Sequence, residues 1–149
     1  MRLKRKGDEI KEYKMITLSE VNDLLTAEFE AMKVAYAGDD ETEYSDEDPD
    51  CFYDLEFTPY IIKQLKENNE TELKKIFAFV EKLFADGDEK VVNIADNSIV
   101  LSLYDNLHFN SGLTKEEFEK HKETMYAICG ELTRKSFKEL DDLEEEDAA

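Results

Sequence analysis

A chain of 149 residues has the length of one domain, and an apolar share of 41% with 9 Phe and 7 Tyr is enough to bury a core. Thirty-eight acids against 19 bases leave a formal charge of −19, a field that repels nucleic acid and anionic membrane and attracts basic protein surfaces or cations. Two histidines, two cysteines, five glycines and no tryptophan leave little material for zinc sites, catalytic triads or phosphate loops.

The N-terminal stretch MRLKRKGDEIKEYKMI is basic but has no apolar run behind its charges, so it does not read as a secretory signal. Residues 1–14 form a basic arm of net +3. Thr17-Leu-Ser-Glu20 is a capping box. After it Val21, Leu24, Leu25, Phe29, Met32 and Tyr36 recur at helical spacing, with Gly38 as the stop. An acidic, aromatic insertion follows over 38–57. Thr58-Pro59 predicts a second helix start, carrying Ile61, Ile62 and Leu65 to Asn68-Asn69. A third helix runs from about Asn69 to Asp86-Gly87 with Leu73, Ile76, Phe77, Val80, Leu83 and Phe84 on one face. Asp88 caps a fourth with Val91, Ile94, Ala95, Ile99 and Leu103, and the short link predicts an antiparallel hairpin with the third. A loop is expected over 105–113. Thr114-Lys-Glu-Glu117, a second capping box, opens a last helix through Phe118, Met125, Ile128 and Leu132, with Gly130 as a bend or stop and a further turn near Phe137 and Leu140. No segment alternates convincingly at period two. The expectation is all-α: one compact bundle of about five helices over 15–140 around a central antiparallel hairpin, and a disordered acidic tail over 141–149.

The charge is unevenly placed. Between Gly38 and Glu56 there are ten acids and no base, and Asp141 to Asp147 adds six more acids. The internal run interleaves its acids with rings. Rings supply contact area and carboxylates supply steering, so the candidate partner-binding residues are Asp39, Asp40, Glu41, Glu43, Tyr44, Asp46, Glu47, Asp48, Asp50, Tyr53 and Asp54. Tyr44 and Tyr53 are the expected anchors. Phe52, Phe57 and Tyr60 are expected to dock into the core.

Catalytic and metal chemistries find no pattern. An EF-hand register from Asp46 puts Cys51 where glycine is needed and Phe57 at the twelfth position. Cys51, His108, His121 and Cys129 have no zinc spacing, and no nucleophile motif surrounds Cys129. No phosphate-loop or dinucleotide fingerprint occurs. The chain is therefore expected to be no enzyme and to need no cofactor. Both cysteines read as reduced thiols, Cys129 buried and Cys51 in a loop. With no apolar span of membrane length, the expected location is the cytoplasm, and a monomer is favoured.

Glu72 to Phe84 (ELKKIFAFVEKLF), Gly87-Asp88-Glu89 and Val91 to Ala95 (VVNIA) together resemble a group of small, acidic, helical bacterial proteins of polymorphic-toxin and contact-dependent inhibition loci. In those proteins an IFxFxExL…GDExVxNxA hairpin is central. Phe137 stands where that group would lead one to expect a Trp. The resemblance implies an immunity protein that neutralises a cognate toxin inside the producing cell; the acidity adds the expectation that it occludes the toxin's basic active-site surface, the toxin being a nuclease and foremost an RNase. It carries no catalytic residues over. The alternative is an acidic regulatory adaptor, or nucleic-acid mimic, acting on a basic DNA- or RNA-binding protein.

Overall fold

A computed structural model describes the backbone of residues 2–6, 9–13, 15–37, 52–110 and 112–148, and the side chains of 15–35 and of 52–144 other than Asp54 and Ser111. Arg2–Lys6 (β1) and Glu9–Tyr13 (β2) pair antiparallel, with Arg2 opposite Tyr13 and Lys6 opposite Glu9. The basic arm is thus a hairpin, ahead of the helical domain expected over 15–140. Charged residues fill most of its positions, so no apolar alternation marked it. From residue 18 onward the described elements are all helical.

Helix α1, Leu18–Glu28, starts where expected: the Glu20 carboxylate accepts from the Thr17 N–H at 3.2 Å and the Thr17 hydroxyl at 2.7 Å. The predicted single helix to Gly38 is instead two. Phe29 leaves helical geometry (φ −123°, ψ 110°), and α2 runs over Glu30–Ala37. The break turns the Phe29 ring into an aromatic cluster, 5.6 Å from Phe57, 5.7 Å from Phe79 and 6.4 Å from Tyr60, centroid to centroid. Edge and tilted ring pairs of this kind contribute about 0.5–1.5 kcal/mol each beyond their buried area.

Helix α3 (53–66) begins earlier than Pro59 suggested. Its first stretch, Tyr53–Phe57, is π-helical, and the Thr58 N–H reaches back to the Tyr53 carbonyl before α-helix resumes over Thr58–Lys66. A widened turn just ahead of proline places the loosened ladder where Pro59 has no donor to give. Phe52 and Phe57 are buried, as expected, and Tyr60 is half-buried. The insertion therefore ends before Phe52 rather than at Phe57.

Asn68, at φ 55°, turns the chain, and Asn69 caps α4 (Glu70–Asp86) by accepting from the Glu72 N–H at 3.3 Å. Of the predicted stripe, Leu73, Ile76, Phe77, Val80 and Leu83 are buried, and Phe84 is half-buried against them. Gly87 makes the turn that follows. A Cβ there would lie 2.4 Å from the Leu83 carbonyl oxygen and 2.6 Å from Val91 Cγ1. Ile16 uses the same turn, donating to the Asp86 carbonyl and accepting from the Asp88 N–H, both at 2.9 Å. The segment entering α1 is thereby tied to the turn between α4 and the helix that follows.

Asp88 caps α5 (89–110), accepting from the Val91 N–H at 3.0 Å. This helix alternates α and π turns, Glu89–Asn93, Ile94–Leu101, Ser102–Asp105 and Asn106–Asn110. Its last stretch occupies most of the loop expected over 105–113. Leu107 is fully buried there, and the Asn106 amide donates to the Ser102 carbonyl at 2.7 Å. Helix α6, Lys115–Ile128, has the second capping box as expected. The chain breaks at Cys129-Gly130, and α7 runs over Glu131–Ala148. The described residues thus hold seven helices rather than about five, and the expected disordered tail is helical through Ala148.

Candidate functional site

Of the residues expected to bind a partner, Asp39, Asp40, Glu41, Glu43, Tyr44, Asp46, Glu47, Asp48 and Asp50 lie outside the described residues. Asp54 sits on the first turn of α3, its side chain likewise outside the description. Tyr53 is described and corrects the expectation. It is fully buried, packs edge-on against Phe52 and Phe57 and donates to the Val21 carbonyl at 3.4 Å. Its place in a widened helical turn points it inward, so it is a core residue and no anchor. Of the flanking residues, Met32 on α2 and Phe52 at the N-terminal end of α3 are buried.

A second polar centre, absent from the sequence reading, forms where α5, α6 and α7 converge. Tyr104 and His108 stand four apart on α5. Lys115, Phe118, Glu119 and Lys122 come from α6, and Asp141 and Glu144 from α7. Together they line a crevice of about 320 Å³. Asp141 accepts from the Tyr104 hydroxyl at 2.6 Å, from Lys122 Nζ at 3.0 Å and from the Tyr126 hydroxyl. Glu144 also faces the Tyr104 hydroxyl, at 2.7 Å, and His108 Nδ1 lies 3.3 Å from its other oxygen. Tyr104 has one proton, so it serves one carboxylate at a time. The His108 ring stacks on Phe118, centroids 4.6 Å apart.

The electrostatics of this crevice favour holding over proton transfer. Burial and then the adjacent carboxylates push the Tyr104 and Tyr126 phenols far above their ordinary range. Burial works to lift the Asp141 carboxyl, but hydrogen bonds from Tyr104, Tyr126 and Lys122 outweigh it and the net shift is downward. Burial likewise works against the Lys122 ammonium, and Asp141 outweighs it, raising its pKa. Phenols stay neutral, Lys122 stays charged, and both Asp141 oxygens are engaged. The arrangement fastens the acidic end of α7 to the bundle. The only sequence signal for it was the i, i+4 spacing of Tyr104 and His108.

A third tie lies at the other end of α7. The Glu81 carboxylate, from α4, accepts from the Leu132 N–H at 3.1 Å and from the Thr133 N–H and hydroxyl, each at 2.9 Å. It satisfies donors that a helix start leaves unpaired, where the helix dipole also favours negative charge. Cys129, adjacent, is buried and free, and burial pushes its thiol up, away from what a nucleophile needs. Among the described residues, no three of His, Cys, Asp and Glu gather as a metal-binding group, and no helix is long and apolar enough to cross a membrane.

These features define an all-helical domain whose α2–α3 connection is strongly acidic and whose last helix is fastened at both ends. The chain belongs to the family described as Domain of unknown function (DUF7674), which it matches over residues 22–144. The matched span reaches from α1 to Glu144. It contains the acidic run, Glu81 and the crevice, and it leaves out the β-hairpin. No curated protein and no solved structure matches the chain.

Proposed function

We propose that the protein is an immunity-type inhibitor that captures a basic protein toxin, a nuclease foremost, and covers its phosphate-binding surface. The observation that carries this reading is the placement of the charge: ten acids and no base between Gly38 and Glu56, held between α2 and the buried start of α3. A nuclease must present a basic cleft to the phosphate backbone. Carboxylates imitate phosphates there, making charge-assisted hydrogen bonds to Lys, Arg or His, and a −19 chain is steered to such a surface at rates raised roughly 10–10³-fold. The sequence resemblance to toxin-locus immunity proteins agrees with this reading, and such an inhibitor would act in the cytoplasm of the producing cell.

The test is capture from native lysate on the immobilised chain, washed at low and then high salt, with the retained proteins identified by mass. Salt screens contacts held by charge alone. A single basic nuclease surviving the high-salt wash, and losing activity when the chain is added, is the expected result. A retained DNA- or RNA-binding regulator would move the assignment to an acidic adaptor. Loss of every bound protein at high salt would overturn both.

A further inference from the structure

The last helix, α7, is tied down along one side and bare along the other. Thr133, Ser136 and Phe137 are buried, Leu140 packs against the core, and Asp141 and Glu144 are held in the crevice. On the opposite flank Leu132 and Leu143 stand open to solvent, at 42% and 57% exposure, with Lys135 and Glu139 exposed between them. Steps of three, four and four residues put these four side chains on one strip, about three helical turns long. Neither Lys135 nor Glu139 forms an ion pair with another described residue. The strip runs apolar, basic, acidic, apolar, and the exposed charges beside it keep that order, Lys138 on the basic half and Asp142 on the acidic half.

We propose that this strip pairs with the same strip of a second copy, antiparallel, about a twofold axis level with Phe137. That arrangement sets Leu132 of each chain on Leu143 of the other and Lys135 on Glu139, each contact being made twice. Charge order chooses the occupant. A uniformly basic or acidic partner meets like charge on half of the strip, and a parallel copy sets Lys135 on Lys135, whereas the reversed copy matches at every position. Antiparallel helices also bring opposite dipole ends together. The contact is small: a stable interface takes roughly 800 Å² from each partner, more than one helix face over three turns supplies, so the pair is weak and reversible. Two chains of −19 repel each other, and salt at about 0.15 M confines that repulsion to about 8 Å. The pairing does not depend on the inhibitor reading.

The test is sedimentation equilibrium of the full chain, from micromolar to near-millimolar concentration, at about 0.15 M salt. The mass should rise with concentration from one chain towards two. Leu132→Ser with Leu143→Ser, both at exposed positions, should leave helicity and the unfolding midpoint unchanged and weaken the association about tenfold or more. Lys135→Glu alone sets acid on acid across the axis, and Glu139→Lys alone sets base on base, so each should weaken it too. Combined in one chain, the two reversals face opposite charges again and should restore the pairing. Mixed as separate chains, the two single variants should pair with each other better than either does with itself. A chain that stays monomeric overturns the proposal, as does a dimer that the serines leave unchanged or a double reversal that restores nothing. If the chain stays monomeric and the serine variant loses a basic protein that the wild type captures, the strip belongs to that protein and the pairing is overturned.

Discussion

At Gly130 the chain has no side chain because Glu81 occupies the space. A Cβ there would lie 2.3 Å from the Glu81 Cδ and 2.5 Å from its Oε1, the oxygen that holds Thr133. Gly130→Ala forces the carboxylate away and costs on the order of 1–3 kcal/mol, the range for losing hydrogen bonds to a charged group. In a Glu81→Ala background the same substitution should cost much less, because the clash and the bonds are already gone; urea unfolding of the four variants measures this coupling. Asp141 provides a second measure. A carboxyl whose pKa is depressed on folding contributes stability above its unfolded value of about 3.9, and loses it as pH falls through the folded value. Asp141→Asn should therefore cost about 1–3 kcal/mol at neutral pH, and the gap from wild type should close in strong acid. A gap that persists in acid would mean that packing, and not ionisation, holds the site. Tyr53 separates core from anchor: Tyr53→Phe should change stability by about 1 kcal/mol or less and leave partner capture intact, whereas an anchor would lose capture.

At the scale of elements, α7 departs furthest from what its composition suggests. Six acids in seven residues read as a solvated end, yet Asp141 and Glu144 fall one turn apart on the face that meets Tyr104, Tyr126 and Lys122. Ending the chain after Leu140 should lower stability by on the order of 2 kcal/mol, since it removes several hydrogen bonds to charged groups. A disordered tail would leave the unfolding midpoint unmoved. The helix starts announced by Thr17, Asn69, Asp88 and Thr114 all stand, because a cap is a local contact between residues three apart. The break at Phe29 and the π turns of α3 and α5 were not legible. The Phe29 ring packs on Phe57 and Phe79, and α5 meets the Thr58 hydroxyl, which reaches the Ser98 carbonyl at 3.5 Å and the Ser102 hydroxyl at 3.3 Å, all contacts between residues distant in sequence.

Across the whole molecule, the charge is separated from the core: a nearly balanced helical body carries one acidic connection and one acidic helix end. Reversing Asp46, Glu47, Asp48 and Asp50 to Lys should leave circular dichroism and the unfolding midpoint unchanged and abolish capture of a basic partner; unchanged capture would remove the acidic run from the binding surface. What the sequence alone determined was the helical class, the caps, the buried stripe of α4 and the concentration of acid between Gly38 and Glu56, because periodicity, capping and charge are properties of neighbouring residues. Only the tertiary structure decided that Tyr53 faces inward, that the last acids hold the bundle together, and that Glu81 requires Gly130 to be bare. Those facts belong to residues tens of positions apart, and they exist only once the helices have packed.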